Sequence, residues 1–413
     1  MNTTARPSSP NVATTFAAFR HRNYRLWFFG QLISMIGTWM QSTAQGYLIY
    51  TLTGSAAYLG YVGFISGVPS WLLMLYGGLV ADRVPRRTLL IITQSCMMLL
   101  AFVLAGLVFS NLVQPWHILV LAFLLGVANA FDTPARQSMV VELVAREDLS
   151  NAIAFNSTIF NTGLVIGPAV GAAVYALTGP GWCFTINGIS FLAVITALVM
   201  MRIELAPMPI YRGSALSLIA ESFRYVRGNR LVMTLSLSVF IANIIGFGPI
   251  TLLPAWAVTV LNGDVTTNGL LMSARGIGAV IGGLLIAAIA SRGGRGKWWA
   301  ASSLVLPISM LAFALTRDLV LSLFLMGILG FGMVTMMNNS NSIVQSIVPD
   351  ELRGRVMGLY SLMFMGGGPL GALAAGTLAD QTSEVTTFIV CAVGMLIFAG
   401  VIWAVRPEVR RMN

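Results

Sequence analysis

The chain has 413 residues, of which 57% are hydrophobic and only 9% are charged, and its formal net charge is +10. Soluble domains carry about 25% charged residues, so this composition excludes a water-soluble fold and predicts a polytopic membrane protein. Twelve helices of ~22 residues, each long enough to cross a bilayer, would use about 264 residues and leave no room for a soluble catalytic domain.

The predicted fold is an all-α membrane protein with twelve transmembrane helices. The apolar runs, numbered helix 1 to helix 12, cover residues 24–50, 56–79, 88–110, 117–139, 152–177, 182–201, 231–253, 266–290, 298–316, 320–341, 355–378 and 386–405. We expect five regions: a cytoplasmic tail at 1–23, a six-helix bundle at 24–201, a cytoplasmic linker at 202–230, a second six-helix bundle at 231–405 and a cytoplasmic tail at 406–413.

The linker carries an amphipathic pattern. Leu216, Ile219, Phe223 and Val226 recur at helical spacing beside arginines, which predicts a helix lying on the inner membrane surface.

The basic residues predict the orientation of the chain. With the N-terminus inside, all but Arg275 and Arg317 of the 24 Lys and Arg residues fall on cytoplasmic segments or the adjoining helix ends. This bias places both termini in the cytoplasm. It also accounts for the basic balance without nucleic acid, so we expect no nucleic-acid partner.

The two halves resemble each other, which predicts pseudo-symmetry. LTGSAAYLG at residues 52–60 aligns with LNGDVTTNG at residues 261–269, so that Gly60 corresponds to Gly269, and Gly67 then corresponds to Gly276. The Gly-Pro steps of helix 5 and helix 11 also correspond. An even number of spans in each half makes the repeats parallel, an arrangement common in secondary transporters, whose substrate site lies between the halves.

The loop between helices 2 and 3 reads GLVADRVPRR at residues 78–87. It resembles the cytoplasmic signature of the major facilitator superfamily, with Pro85 in place of a glycine. The resemblance implies a latch that holds the cytoplasmic side closed, in which this loop engages the start of helix 11; the residues are Gly78, Asp82, Arg83, Arg86, Arg87, Arg353 and Arg355. A basic loop that serves orientation alone, with Asp82 in a local ion pair, is the alternative.

A narrower resemblance extends from about Phe19 to Pro407. The segments FRHRNYRLWFFGQLISMIGTWMQ, AFDTPARQSMVVELV and NAIAFNSTIFNTGLVIGPAVGA resemble the bacterial transmembrane secretion effectors, a branch that includes enterobactin-exporter-like and macrolide-efflux-like proteins. The resemblance implies export across a bacterial cytoplasmic membrane. It does not define the cargo.

Helix 5 contains glycines at helical spacing around a proline: Gly163, Gly167, Pro168 and Gly171. The spacing is similar to the superfamily's antiporter signature, with Ala172 in place of its last glycine. Close packing of small residues, with no bearing on the direction of transport, is the alternative.

Few ionisable residues lie inside the predicted spans, and such residues usually face a cavity or a partner. Asp132 and Arg136 share a face of helix 4 with Asn129. Asp132 is therefore a candidate proton-coupling carboxylate, and a static ion pair with Arg136 is the alternative. Arg275 in helix 8 either attracts an anionic substrate or pairs with an acid on another helix.

Polar residues at three- and four-residue steps mark the expected substrate cavity. By family resemblance helices 1, 4, 7 and 10 line it, and the candidates are Gln31, Thr38, Gln41, Gln45, Asn129, Asn243, Arg275, Asn338 and Ser342.

Enzymatic activity is not expected, because the chain has two histidines and no metal-binding or phosphate-loop motif. We expect neither a metal nor a cofactor. The favoured function is a monomeric secondary transporter that exports a small, partly apolar compound in exchange for protons. Proton-coupled uptake, lipid translocation and a nontransporting receptor of the same fold are the alternatives.

Overall fold

Twelve long helices build the protein in the computed structural model, which describes residues 16–202, 223–289, 294–406 and 408 but not the side chains of Leu75, Ile289, Glu351 and Arg355. The helices are α1 Arg22–Thr53, α2 Ala56–Ala81, α3 Arg86–Phe109, α4 Pro115–Glu142, α5 Leu149–Thr178, α6 Pro180–Met200, α7 Arg230–Thr259, α8 Val265–Ile289, α9 Arg295–Leu315, α10 Leu319–Ile347, α11 Asp350–Gln381 and α12 Glu384–Val405. No strand occurs among the described residues. The all-α prediction is confirmed.

Eleven of these helices are apolar and long enough to cross a membrane, counted over the described residues. The exception is α1. It has 32 residues, which is ample length for a span, but glutamine, serine and threonine lower its mean hydropathy. The least apolar helix is therefore the one with the longest polar stripe.

Parts of the predicted regions lie outside the described residues. These are residues 1–15, residues 203–222 with Leu216 and Ile219, residues 290–293, residue 407 and residues 409–413. Of the expected linker helix, residues 223–228 are described and helical. Within them Phe223 is exposed and Val226 is buried.

Equivalent helices pack through glycine in the two bundles. A Cβ at Gly77 of α2 would lie 2.0 Å from the carbonyl oxygen of Ala130 in α4, and a Cβ at Gly330 of α10 would lie 2.1 Å from the carbonyl oxygen of Arg275 in α8. Since α2 corresponds to α8 and α4 to α10, the equivalent pair of helices is in backbone contact in both halves, although the glycine lies on α2 in one half and on α10 in the other. Glycine is required at such contacts because any side chain would push the helices apart.

The two bundles meet along α2 with α11 and along α5 with α8. A Cβ at Gly60 would lie 2.6 Å from the carbonyl oxygen of Ala372, and a Cβ at Gly269 would lie 2.7 Å from that of Pro168. Gly67 likewise touches the ring of Pro369. The glycines paired by the sequence repeat therefore occupy equivalent positions in the bundle interface.

These contacts seal one end of the molecule. They involve the first halves of α2 and α8 and the second halves of α5 and α11. At the same end the carboxylate of Asp380 in α11 accepts hydrogen bonds from the hydroxyl of Ser55 at 2.6 Å and the backbone N–H of Ala57 at 3.4 Å. It thereby caps α2 across the bundle interface. We call this the sealed end.

The opposite end, where α2 ends and α3 begins, is the open end. The side chains of Asp82 and Arg83 are exposed there. Arg353 of α11 pairs with Asp350 of its own helix at 2.5 Å and remains 46% exposed. The cavity between the bundles therefore opens on the side of the loop at residues 82–85.

Replacing Asp380 by alanine should weaken the sealed end. Loss of a helix cap costs about 1 kcal/mol, or about fivefold in an equilibrium constant, and here the cap joins two bundles. Double electron–electron resonance between spin labels at positions 52 and 382 should show more of the population with the bundles parted.

Asp318→Ala is the matched control, since Asp318 caps its own helix through the N–H of Leu321 at 2.8 Å. It should leave the distance distribution unchanged. Equal distributions for the Asp380 variant and the native protein would contradict the proposed role of this cap.

Candidate functional site: a cavity between the bundles

A cavity of about 530 Å³ lies between the two bundles. Its size is in the range of small-molecule sites. Residues of α1, α2, α4 and α7 supply most of its wall, with two residues each from α3, α6 and α8 and one from α5. The polar part of the α1 wall consists of Gln31, Ser34, Thr38, Gln41, Ser42, Thr43 and Gln45.

Hydrogen bonds hold part of this polar stripe. The Oε1 of Gln41 accepts a hydrogen bond from the Nδ2 of Asn187 in α6 at 2.7 Å, and the Thr38 hydroxyl donates back to the carbonyl oxygen of Ser34. The Nε2 of Gln31 is buried without a hydrogen-bond partner. A buried amide donor left unpaired costs free energy. The Gln31 amide in the cavity wall therefore lacks one hydrogen-bond acceptor.

Asp132 is 1% exposed and accepts two hydrogen bonds. One carboxylate oxygen accepts from the Thr93 hydroxyl at 2.9 Å and from the Nε2 of Gln94 at 2.8 Å. The other oxygen lies 3.7 Å from the Nε of Arg136, which is too long for a direct hydrogen bond. The closest partners of Asp132 are thus on α3 and neutral, and the predicted ion pair with Arg136 is a loose one.

Arg275 projects into the cavity from the middle of α8. It is 5% exposed, and its Nε has no hydrogen-bond partner. The four ion pairs formed among the described residues do not include it. Its guanidinium carbon lies 5.5 Å from the centroid of the Phe247 ring, a weak cation–π contact. The sequence left open whether Arg275 pairs with an acid on another helix. No such acid is found among the described residues.

The backbone of α7 is irregular where it borders the cavity. The helix begins as an α-helix, becomes a π-helix over Ala242–Phe247 and a 3-10 helix over Gly248–Leu252, and ends as an α-helix over Leu253–Thr259. A Cβ at Gly248 would lie 2.5 Å from the carbonyl oxygen of Gly371 in α11. π-Bulges occur frequently at functional sites, and this one places Phe247 beside Arg275.

Six of the nine candidate cavity residues line this cavity: Gln31, Thr38, Gln41, Gln45, Asn129 and Arg275. The other three do not. Asn243 packs against Gly367 of α11 and donates to the carbonyl oxygen of Val239, whereas Asn338 is exposed and Ser342 half-buried on α10. We expected α10 to line the cavity, but in this conformation none of its residues does.

Several cavity residues were not predicted. Thr93 and Gln94 bind Asp132, and Phe160, Phe191 and Phe247 supply aromatic wall. The sequence contained one usable signal, the adjacent polar pair at 93–94 inside an apolar helix. Single phenylalanines in transmembrane helices carry no such signal, since most contact lipid or pack inside a bundle.

The predicted latch residues are apart in this conformation. Arg86 pairs with Glu142 at the end of α4, and Arg87 donates to the carbonyl oxygen of Val199 in α6 at 2.8 Å. Asp82 and Arg353 make no contact with each other, and the side chain of Arg355 is not described. Gly78, the first residue of the motif, faces open space, and the close contact with α4 is made by its neighbour Gly77.

The helix 5 glycines pack on α1 inside the N-terminal bundle. A Cβ at Gly163 would lie 2.6 Å from the Cγ of Met35, and one at Gly171 would lie 2.8 Å from the carbonyl oxygen of Met40. Gly167 contacts Trp39 in the same way. The carbonyl of Pro168, by contrast, faces Gly269 of α8. One helix therefore connects α1 to the opposite bundle.

Comparisons with known proteins agree with this architecture. The profile of the transmembrane secretion effector family matches residues 13–413. The chain is 25% identical over 389 residues to the staphyloferrin A transporter of Staphylococcus aureus (strain NCTC 8325 / PS 47), covering 94% of this chain and 97% of that protein. It is 27% identical over 395 residues to the multidrug efflux pump Tap of Mycolicibacterium fortuitum, covering 93% and 96%.

Among solved structures, a bacterial homologue of the human lysosomal transporter Spinster, in an inward-facing and unoccupied conformation, superposes with a TM-score of 0.71. It is 15% identical and covers 97% of this chain and 98% of that one. The chain is a multi-pass membrane transporter and not an enzyme. It belongs to the transmembrane secretion effector family of the major facilitator superfamily.

Replacing Gly167 by alanine tests the contact between α5 and α1. The added Cβ would lie 2.4 Å from the Cβ of Trp39, and overpacking of this kind typically costs about 1–3 kcal/mol. We expect a lower melting temperature for the purified protein in detergent.

Gly106→Ala is the control, because a Cβ there meets no atom within 4 Å and alanine favours the helix by up to about 1 kcal/mol. It should leave the melting temperature equal or higher. Similar losses in both variants would show that the α5 contact is not specific.

Proposed function

We propose that this transporter exports a small, partly apolar compound in exchange for protons by alternating access. The observation that carries the proposal is the cavity between the bundles, sealed at one end and containing a buried carboxylate. Apolar and aromatic side chains lie beside a polar stripe in its wall, which suits an amphipathic molecule. The names of two relatives, a siderophore transporter and a drug efflux pump, are consistent with export of such molecules.

We further propose that the open end faces the cytoplasm of a bacterium and that both termini lie there. The support is the distribution of arginine and lysine, which concentrates at this end. A single copy contains the whole cavity, so a monomer suffices for transport. In this orientation the structure corresponds to the state that receives cargo from the cell interior.

Asp132 is the proposed proton site. As a carboxylate it accepts from Thr93 and Gln94. When protonated it must also donate one hydrogen bond, and the Oε1 of Gln94 is buried without a partner. A flip of this amide would present Oε1 to the protonated acid. Gln94 can therefore serve both protonation states of Asp132, which a static ion pair would not need.

The latch at residues 78–87 is the proposed lock of the opposite state. Among the described side chains Asp82 has no hydrogen-bond or ion-pair partner in this conformation, and its side chain is exposed. When this end closes, Asp82 would approach the first turn of α11 at Arg353 and Arg355, where a carboxylate is favoured by the helix dipole and by arginine.

Uptake together with a proton is the second candidate function, and one observation favours it. Arg275 has no acidic partner among the described residues. Protonation of Asp132 would leave the cavity more positive and thus strengthen the binding of an anionic cargo rather than displace it. The direction of flux distinguishes the two candidates.

The function is tested in everted membrane vesicles that hold an acidic lumen. Acridine orange reports the pH gradient while staphyloferrin A and a panel of antibiotics are added one at a time. Exchange predicts that a cargo releases protons from the lumen and accumulates inside. Symport instead predicts cargo entry into right-side-out vesicles when the outside is acidic. A compound that binds yet moves in neither preparation would favour a nontransporting receptor.

Asp132→Asn should abolish proton-coupled flux while leaving cargo binding within a few-fold of the native value, because asparagine keeps the size but cannot exchange a proton. Gln94→Leu should reduce coupling without removing the carboxylate. Proton release per cargo molecule in the same vesicles is the measurement.

Asp318→Asn is the matched control, because Asp318 lies outside the cavity and caps α10. It should transport normally. Undiminished proton release from the Asp132 variant would show that this residue forms only a static pair.

Asp82→Asn should slow transport several-fold and leave the melting temperature of the present conformation unchanged, since the exposed Asp82 side chain makes no hydrogen bond or ion pair with the described side chains. Spin labels at the open end should show fewer molecules closed there. A native rate of flux would favour a loop that serves orientation alone.

A further inference from the structure

Arg275 is the least compensated charge in the cavity. Three ionisable side chains line the wall among the described residues: Asp132, Arg136 and Arg275. Asp132 and Arg136 have opposite charges and lie 3.7 Å apart at their nearest atoms. The pair is close to neutral as a unit, so the cavity retains one net positive charge, and that charge is on Arg275.

Burial makes this charge costly. A guanidinium removed from water loses several kcal/mol of solvation unless an anion and hydrogen-bond acceptors replace it. The Phe247 ring replaces a small part of it. The unpaired Nε and the absence of an ion pair within the described chain leave the rest uncompensated. A buried side chain in this state is a binding group that lacks its ligand.

The backbone holds Arg275 rigidly in this position. Gly330 of α10 touches the Arg275 carbonyl, and Gly276 touches the carbonyl of Leu164 in α5 at a Cβ distance of 2.8 Å. The guanidinium therefore emerges where α8 contacts both its own bundle and the opposite one. A ligand bound there would lie beside the bundle interface, whose helices must separate during alternating access.

We propose that the cargo is an organic anion whose carboxylate or similar acidic group binds the guanidinium of Arg275. The inference rests on the proposed transport function and holds for either direction of flux. Arginine suits this task because its fork of donors matches an oxyanion in a bidentate manner. The apolar body of the anion would lie against Phe247 and the aromatic wall formed by Trp39 and Phe160, whose rings are 5.8 Å apart.

The surrounding residues exclude the opposite cargo charge. Asp132 already accepts hydrogen bonds from Thr93 and Gln94, and no other carboxylate lines the cavity among the described residues. A cationic cargo would meet Arg275 without a free carboxylate to offset it. The cavity therefore discriminates by charge as well as by size.

Three compounds with one skeleton test the proposal: biphenyl-4-carboxylate, biphenyl-4-carboxamide and biphenyl-4-methylamine, which are anionic, neutral and cationic at pH 7.5. Binding to the full chain in lipid nanodiscs is measured by calorimetry, with empty nanodiscs subtracted. We expect the carboxylate to bind at least tenfold more tightly than the amide, and the amine to bind most weakly.

Arg275→Gln should weaken binding of the carboxylate at least tenfold and leave binding of the amide unchanged, whereas Arg275→Lys should retain part of the preference. Arg317→Gln removes a positive charge from outside the cavity, where Arg317 donates to the carbonyl oxygens of Ala314 and Thr316. It should bind the three compounds as the native protein does.

Stability gives a second readout. Removal of an unpaired buried charge should not destabilise the empty protein, so Arg275→Met should melt at the native temperature or above it. A structural role for Arg275 predicts a lower melting temperature and equal loss of binding for the acid and the amide.

The proposal is overturned if no carboxylate binds the native protein, if the amide or amine binds as tightly as the acid, or if Arg275→Gln keeps the preference. Vesicle flux separates this outcome from failure of the transport proposal. If proton-coupled flux of a neutral or cationic compound survives Arg275→Gln, the transport proposal stands and the proposal of an anionic cargo fails. If the carboxylate binds but no compound is transported, the anion site stands and the transport proposal fails.

Discussion

Contact between helix backbones through glycine is the constraint on which this structure depends. In a bilayer, apolar side chains gain nothing by leaving lipid for protein, so helices associate through close packing and hydrogen bonds. Gly77 and Gly330 bring α2 onto α4 and α10 onto α8, and Gly60 and Gly269 bring the two bundles together at the sealed end. Each contact has a counterpart in the other half. The pseudo-symmetry is therefore a property of the packing as well as of the sequence.

The position of these contacts decides where the cavity opens. The glycines of the bundle interface occupy the first halves of α2 and α8, so the bundles touch at one end and diverge toward the other. Asp380 adds a hydrogen-bonded cap to this seal. At the diverging end Asp82 and Arg83 are exposed, and Arg86 and Arg353 pair within their own bundles. A sealed end and separated Asp82 and Arg353 are the features that the proposed alternating-access cycle requires of one of its states.

The charges inside the membrane divide into satisfied and unsatisfied groups. Asp132 accepts hydrogen bonds from Thr93 and Gln94 of α3 and lies 3.7 Å from Arg136, whereas Arg275 has only the Phe247 ring as a charge-stabilising contact among the described residues. Ionisable groups in a membrane are expensive and persist mainly where function needs them. The difference between these two residues suggests different tasks: one group can exchange a proton among fixed partners, and the other still lacks a counter-ion.

Sequence predicted some of these features and missed others for physical reasons. Asp132, Arg275 and the α1 glutamines were identified because a polar residue in an apolar helix is a strong signal. Asn243 carried the same signal, yet its side chain bonds to its own helix and packs against Gly367. Gly78 was selected from a motif, while the contact occurs at Gly77. Periodicity defines a helical face to within about one residue, and the neighbouring helix decides which member of that face makes contact.

The sequence by itself determined the class of protein and the number of long helices, because hydropathy acts locally along the chain and does not require tertiary contacts. Its internal repeat predicted two equivalent bundles. The three-dimensional packing decided which end is sealed, that α10 contributes no residue to the cavity wall, and that the π-helix in α7 brings Phe247 to Arg275. It also decided that Arg275 has no acidic partner among the described residues. Whether a charge is paired depends on helices distant in sequence, and only their packing brings an acid near or leaves the charge alone.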